Sequence, residues 1–358
     1  MRKILKMEYG ELNIPNSNKF NSLSDVGLRY NKKRNFLFLS KVLGKYLDTK
    51  PSKMTETFKE LASKIQKENY KGKTLVIGFA ETATALGEGV FDMLQLKDSY
   101  YISTTRTMIK DENVWLEFSE EHSHATAHLI YEPKFNTNDF KNVILIDDEF
   151  TTGNTLKNII ASLKIQLPTV ENFMALSILD WSKDMGFDKR SIYRADFTFD
   201  AYPDVEINNN PYKSTSNKKI VLNNSTSRFG RKLEYIPEFR DKFINNVISI
   251  AYKIPISENI LIVGSGEFMY EAYLIGRQIE AFGYDIKMKS TGRSPIQMYG
   301  AINNIDIFKD HLGEDLDFFL YNMKQYDNII YLPETLNDYS SVEILKKYTK
   351  NLILLKYD

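Results

Sequence analysis

The chain has no cysteine, which excludes thiol nucleophiles, disulfides and cysteine-ligated zinc and leaves any chemistry to oxygen and nitrogen groups. It also lacks an excess of either charge. Lys plus Arg and Asp plus Glu each total 47, so no bulk field draws the chain to nucleic acid or to an anionic membrane, and any anion site must be local. No run approaches the roughly 18 apolar residues of a spanning helix. The opening MRKILKMEYG has too short an apolar core for a secretory signal, and a cytoplasmic location is expected. What is present is 358 residues, 42% hydrophobic and 26% charged, enough to bury real cores and to exclude a largely disordered protein. At about 100 to 200 residues per domain, that length favours two domains.

Two stretches share one grammar. TLVIGFAETATALGEGVFDML reads as a buried strand from Leu75 to Ile77, a turn and a helix of small residues and leucine. NVILIDDEFTTGNTLKNIIASL reads as a strand from Val143 to Ile146 that ends in acids, a Thr-Thr-Gly loop and an amphipathic helix. Strands alternating with helices imply a parallel, doubly wound α/β sheet. Phe36, Leu39, Leu43 and Tyr46, spaced by three and four, predict a helix over Arg29–Tyr46 with a basic entry at Arg29, Lys32, Lys33 and Arg34. The stretch from Tyr202 to Arg231 is rich in Asn, Ser, Lys and Pro and lacks periodicity, so a domain boundary is placed there, and α/β grammar resumes at Asn259. The division expected is 1–205, a linker 206–230, and a smaller second α/β domain 231–358.

The most informative string is VILIDDEFTTGNT, Val143 to Thr155. A strand ending in Asp147 and Asp148 places carboxylates at the carboxyl edge of the sheet, where they accept hydrogen bonds from vicinal hydroxyls such as those of ribose. Thr151, Thr152, Gly153, Asn154 and Thr155 then offer hydroxyls and backbone N–H groups at a helix N-terminus, a geometry that holds a phosphate dianion. A buried strand ending in an ordinary acidic turn explains the apolar run and Asp148, but not the acids, threonine pair and glycine together.

This string resembles the 5-phosphoribosyl-1-pyrophosphate (PRPP) signature of type I phosphoribosyltransferases. With GFAETATALG, the STTR at Ser103 to Arg106, the EEHSHATAH segment and NKKRNFLFLSKVLGK, the chain is similar to the phosphoribosyltransferases joined to a C-terminal TRSP domain, which occur in tellurium-resistance-associated bacterial gene clusters. The resemblance runs from Arg29 to Leu179 and from Ser227 to Leu354. The Thr-Arg-Ser-Pro signature stands here as Gly292, Arg293, Ser294 and Pro295, with Thr291 one place earlier.

The resemblance implies a type I phosphoribosyltransferase-like parallel sheet flanked by helices. It implies transfer of the phosphoribosyl group from PRPP to a small nitrogenous acceptor with release of pyrophosphate, and Mg2+ as cofactor. Ala80, Glu81, Thr82 and Ala83 become the pyrophosphate loop, and Arg106 a guanidinium for the pyrophosphate oxygens; a surface ion pair is the plainer reading of Arg106. Catalysis falls to Asp147, Asp148 and Arg106. Glu121, His122, His124 and His128 fall in the mobile loop that closes over PRPP. Three of the four histidines lie between His122 and His128, which leaves metal binding or a solvated loop as other readings. Phe36 and Phe38 either stack a planar acceptor or belong to the core. Nucleic-acid and membrane partners are not expected, and a homodimer is compatible with this reading. A PRPP-binding sensor without turnover is the alternative from another class.

Three features keep one register across the halves. Gly78 and Glu81 match Gly264 and Glu267 at an offset of 186, Ser103 matches Ser290 at 187, and Asn142 matches Asn328 at 186. A degenerate copy is expected, whose Ser265, Gly266, Glu267 and Arg293 converge on one pocket. There Asp147 and Asp148 are replaced by Pro333 and Glu334.

Overall fold

The computed structural model describes residues 2–118, 127–222, 231, 241, 244–246, 249–335 and 338–355. Five parallel strands form the first sheet, in the order Asp188–Arg194, Asn172–Asp180, Asn142–Phe150, Thr74–Gly78, Ser99–Ser103. Parallel strands are joined by crossovers that bury both faces, so their cores read as continuous apolar runs rather than alternating ones. Val76, Ile144 and Ile146 face one core, while Leu75, Ile77, Val143 and Leu145 face another, filled by Leu156, Ile159 and Leu163 of the helix Asn154–Gln166.

A second parallel sheet has the order Ile286–Ser290, Ile260–Gly264, Tyr326–Leu332, Thr349–Leu354. Its Ile262, Ile330 and Leu332 enter the same core as Val76, Ile144 and Ile146. The helices Thr84–Leu94 and Tyr270–Ala281 pack against each other within it. Leu261, Val263, Ile329 and Tyr331 face away, into a separate core with Phe318 and Leu320. The two sheets thus share a middle layer and keep one outer core each.

Two sequence expectations are corrected. Residues 29–46 contain no helix: Ser24–Leu28 and Phe36–Ser40 form an antiparallel hairpin. Phe36 and Phe38 enter the shared core, whereas Leu37 and Leu39 pack with Ile296, Ile302, Phe319 and Tyr321 of the second half. A segment apolar on two opposite faces is satisfied as a strand between two cores, and this period of two overrides the three-and-four spacing. The strand read as ending at Ile146 continues to Phe150, because Asp147, Glu149 and Phe150 pair with Ser177, Leu179 and Asp180.

Residues 206–222 touch both halves. Tyr212 packs on Tyr30 and Phe319, the Lys213 N–H donates to Asp317 Oδ2 (2.9 Å), and Lys219–Ile220 pairs with Met108–Ile109.

Candidate active site

The carboxyl ends of the central strands carry the sequence-predicted groups. After Gly78 the chain turns through Ala80–Ala83 into the helix Thr84–Leu94, with the Ala80–Glu81 peptide in cis. The Ala80 N–H donates to Thr104 Oγ1 (2.8 Å), and the same hydroxyl meets His128 Nδ1 (3.0 Å). His128 Nε2 in turn lies 2.9 Å from Arg106 Nη2, and its ring stacks on Phe118. A continuous polar chain therefore runs from the Ala80 turn to Arg106. His128 is buried at the start of the strand His128–Tyr131 rather than in a loop. Glu121, His122 and His124 lie outside the described residues.

Glu81 is buried with Lys45, whose Nζ is 3.1 Å from Glu81 Oε1. Burial pushes the Glu81 carboxyl up, but Lys45 and Arg293 outweigh it and hold the group below the usual carboxylate range. Thr82 is partly exposed and Ala83 fully buried.

On the neighbouring strand, Asp147 Oδ1 accepts the Asp148 N–H (2.9 Å). Enclosure at the strand end and the adjacent Glu149 carboxylate push Asp148 up to about 6. Glu149 is paired with Arg34 (2.7 Å), which also donates to Thr151 Oγ1 (3.0 Å) and lies over the rings of Phe36 and Phe38. Gly153 caps the helix Asn154–Gln166 at φ +79°, a left-handed backbone that favours glycine. No acidic side chain stands in the first turn of that helix, so its positive N-terminal end lies beside Thr151, Thr152, Asn154 and Thr155, with the Asn154 N–H donating to Thr152 Oγ1 (3.4 Å). A Cβ at Gly153 would meet the Met185 sulfur at 1.7 Å.

Phe38 stacks on Trp181 and Phe36 packs on Phe199, so these rings serve the core rather than an open stacking face. Three consecutive acids with a single guanidinium on Glu149 form an oxygen-rich, electronegative edge of the kind a hard divalent cation prefers. Among the described residues no group of three His, Cys, Asp or Glu side chains is arranged to hold a metal by itself.

The phosphoribosyl transferase family matches residues 23–200, and the TRSP domain that follows such transferases matches residues 225–348. The chain belongs to this family. Similar solved structures include a hypoxanthine phosphoribosyltransferase from Staphylococcus aureus, at 16% identity and TM-score 0.30, covering 43% of this chain and 79% of that one. Another is an adenine phosphoribosyltransferase from Rhodothermus marinus, at 13% identity and TM-score 0.36, covering 50% of this chain and 100% of that one. No curated protein matches the chain. No helix among the described residues is long and apolar enough to cross a membrane.

In the TRSP domain the corresponding strand ends are closed by ion pairs. Arg231 is fully buried, with Nη1 2.8 Å from Glu267 Oε2 and Nε 2.6 Å from Glu334 Oε1. Glu334 also lies 3.3 Å from His311, which touches Ser265 Oγ (3.1 Å). Burial pushes His311 down, but Glu334 and Asp338 outweigh it and raise its pKa. Arg293 donates to Thr107 Oγ1 (2.9 Å) and stands 3.5 Å from Glu314. Ser265, Gly266, Glu267 and Arg293 thus gather at the domain interface, but the space between Glu267 and Glu334 is taken by Arg231. Sequence reading named Arg34 only as part of a basic helix entry, without its partner Glu149, and missed Lys45 and Arg231 as site residues. Each pairs with a carboxylate well removed along the chain, 115 residues away for Arg34 and 36 for Lys45 and for Arg231 with Glu267, so no local spacing marks the pair.

Proposed function

We propose that this protein transfers the 5-phosphoribosyl group of PRPP to a small nitrogenous acceptor. The observation that carries the reading is the conjunction, at one sheet edge, of the Asp147–Asp148 strand end, the Gly153-capped helix and the Ala80–Ala83 turn. In this reading residues 1–205 perform transfer, 206–230 link, and 231–358 support.

Thr151 to Thr155 anchor the 5-phosphate on main-chain N–H groups and hydroxyls, which contributes remote binding energy to the reaction at the anomeric carbon. Asp147 and Asp148 accept the ribose hydroxyls and stabilise the positive charge that grows on the ring as the bond from the anomeric carbon to the pyrophosphate oxygen breaks. The electron pair leaves with pyrophosphate, received by the Ala80–Ala83 turn and Arg106. The acceptor nitrogen forms the new bond and gives up its proton. When bound, Mg2+ supplies charge neutralisation to the pyrophosphate, and the acids at 147–149 are the groups that would hold its hydrated shell.

The test is incubation with PRPP, Mg2+ and a panel of purines, pyrimidines and small amines, following pyrophosphate release and product mass. Acceptor-dependent pyrophosphate release is expected. PRPP binding without turnover on any acceptor would favour a sensor, and no PRPP binding would remove the reading.

A further inference from the structure

The second sheet repeats the first in more than topology. Thr74 pairs with Ser99 and Asn142, and Ile260 pairs with Ile286 and Asn328, so both neighbouring registers are kept at the offsets 187 and 186. The turn hydrogen bonds repeat as well. The Ala80 N–H donates to Thr104 Oγ1 (2.8 Å), and the Gly266 N–H donates to Thr291 Oγ1 (2.9 Å). The Phe79 N–H reaches the Ile146 carbonyl at 3.0 Å, and the Ser265 N–H reaches the Leu332 carbonyl at 3.1 Å. A generic strand-turn-helix unit has no reason to place a threonine hydroxyl at the same point of the same turn.

The contacts between the halves converge on two corresponding carboxylates. Thr105 Oγ1 of the first half donates to Glu267 Oε1 of the second (3.0 Å), and the Arg293 N–H of the second donates to Glu81 Oε1 of the first (3.2 Å). Glu81 corresponds to Glu267, while Arg293 corresponds to Arg106, the residue after Thr105, so the two equivalent carboxylates are each held by the same segment of the opposite half, one residue apart, which approximates the contact two subunits make across a twofold axis. At Gly292 the threonine is missing. A Cβ there would stand 3.3 Å from Glu81 Oε1 and 3.7 Å from Lys45 Nζ. Lys45 fills the gap, holding Glu81 while donating to the carbonyls of Gly266 (3.1 Å) and Thr291 (3.3 Å). At the second strand end, the carboxylate corresponding to Asp148 is Glu334, and Arg231 occupies it.

We propose that the TRSP domain is a degenerate transferase copy serving as a built-in partner subunit: it takes no PRPP, and its Gly292–Arg293 main chain, with Lys45, fixes Glu81 and so sets the pyrophosphate turn of the first half. This rests on the reading of the site given above. Glu81, Lys45 and Gly292 are positioning residues.

Calorimetric titration of the full chain with PRPP and Mg2+ tests it. Wild type is expected to take one PRPP per chain. Gly292→Val changes no charge but drives a side chain against Glu81, and is expected to weaken PRPP binding about tenfold. Lys45→Met is expected to do the same, and Gly292→Thr in that background to restore affinity by returning a hydroxyl to Glu81. Should Lys45→Met fail to fold, Gly292→Val decides alone. Two PRPP per chain, or unchanged affinity in folded Gly292→Val, overturns this inference and leaves the site reading standing. A wild-type chain that takes no PRPP overturns both.

Discussion

At Asp148, enclosure and Glu149 hold the proton up to about 6, against an ordinary value of 3.8. Between those values the folded state binds more protons than the unfolded one. Asp148 therefore stabilises most below pH 4, and its contribution is lost as pH rises through 6. Catalysis runs the other way, because only the ionised group stabilises positive charge. In the Mg2+-free protein the Asp148 titration followed by NMR is expected to have its midpoint near pH 6, and Glu149→Gln should move that midpoint down; an unmoved titration would contradict the assignment. Replacing Asp147 and Asp148 together by Asn should abolish pyrophosphate release while leaving the melting temperature nearly unchanged, since both lie at a partly exposed strand end where amides still hydrogen-bond. Activity near wild type would displace the site.

Among elements, the loop from Thr151 to Thr155 is the most constrained. Gly153→Val meets two obstacles, a left-handed φ and the Met185 sulfur, so backbone strain of about 1–3 kcal/mol is expected together with loss of PRPP affinity. Chemical unfolding measures the first and calorimetry the second. This element was legible because its chemistry is local: apolar run, acids, threonines and glycine follow one another in sequence. The strand-turn-helix at Leu75 was legible for the same reason. The hairpin at 24–40 was not, because what decides between strand and helix there is a second core beneath Leu37 and Leu39, contributed by residues some 260 to 280 positions away. His128 shows the same limit. Its neighbours in sequence suggested a loop, whereas its partners Thr104 and Phe118 place it in a strand.

Across the whole molecule, the interface is charged where most cores are apolar. Arg231→Met leaves Glu267 and Glu334 buried without their cation, and a destabilisation of about 3–5 kcal/mol is expected in urea unfolding. Glu334 is pushed up by burial but held down overall by Arg231 and His311, so the pair stabilises above the ordinary carboxylate value and that stability is lost as pH falls. The deficit of the variant should accordingly narrow in acid; a deficit independent of pH would point to packing rather than charge. The register of the two halves was readable from Gly78, Glu81, Ser103 and Asn142 because the strand pairings of both sheets keep the same offsets. The partners of Lys45 and Arg231 were not, since an ion pair between halves leaves no periodic trace.

The shared middle layer also governs how the chain matures during synthesis. Val76, Ile144 and Ile146 lie on the sheet face packed by the helix Thr84–Leu94, but that helix and Pro51–Ala62 pack in turn on Tyr270–Ala281 of the second half. A ribosome must therefore add the helix Tyr270–Ala281 before the first half can dry the outer side of those helices. Until then the nascent transferase exposes a continuous apolar surface. Late translation, rather than the completion of the PRPP signature, sets when the protein becomes native, and a stalled or truncated product is the form most in need of a chaperone.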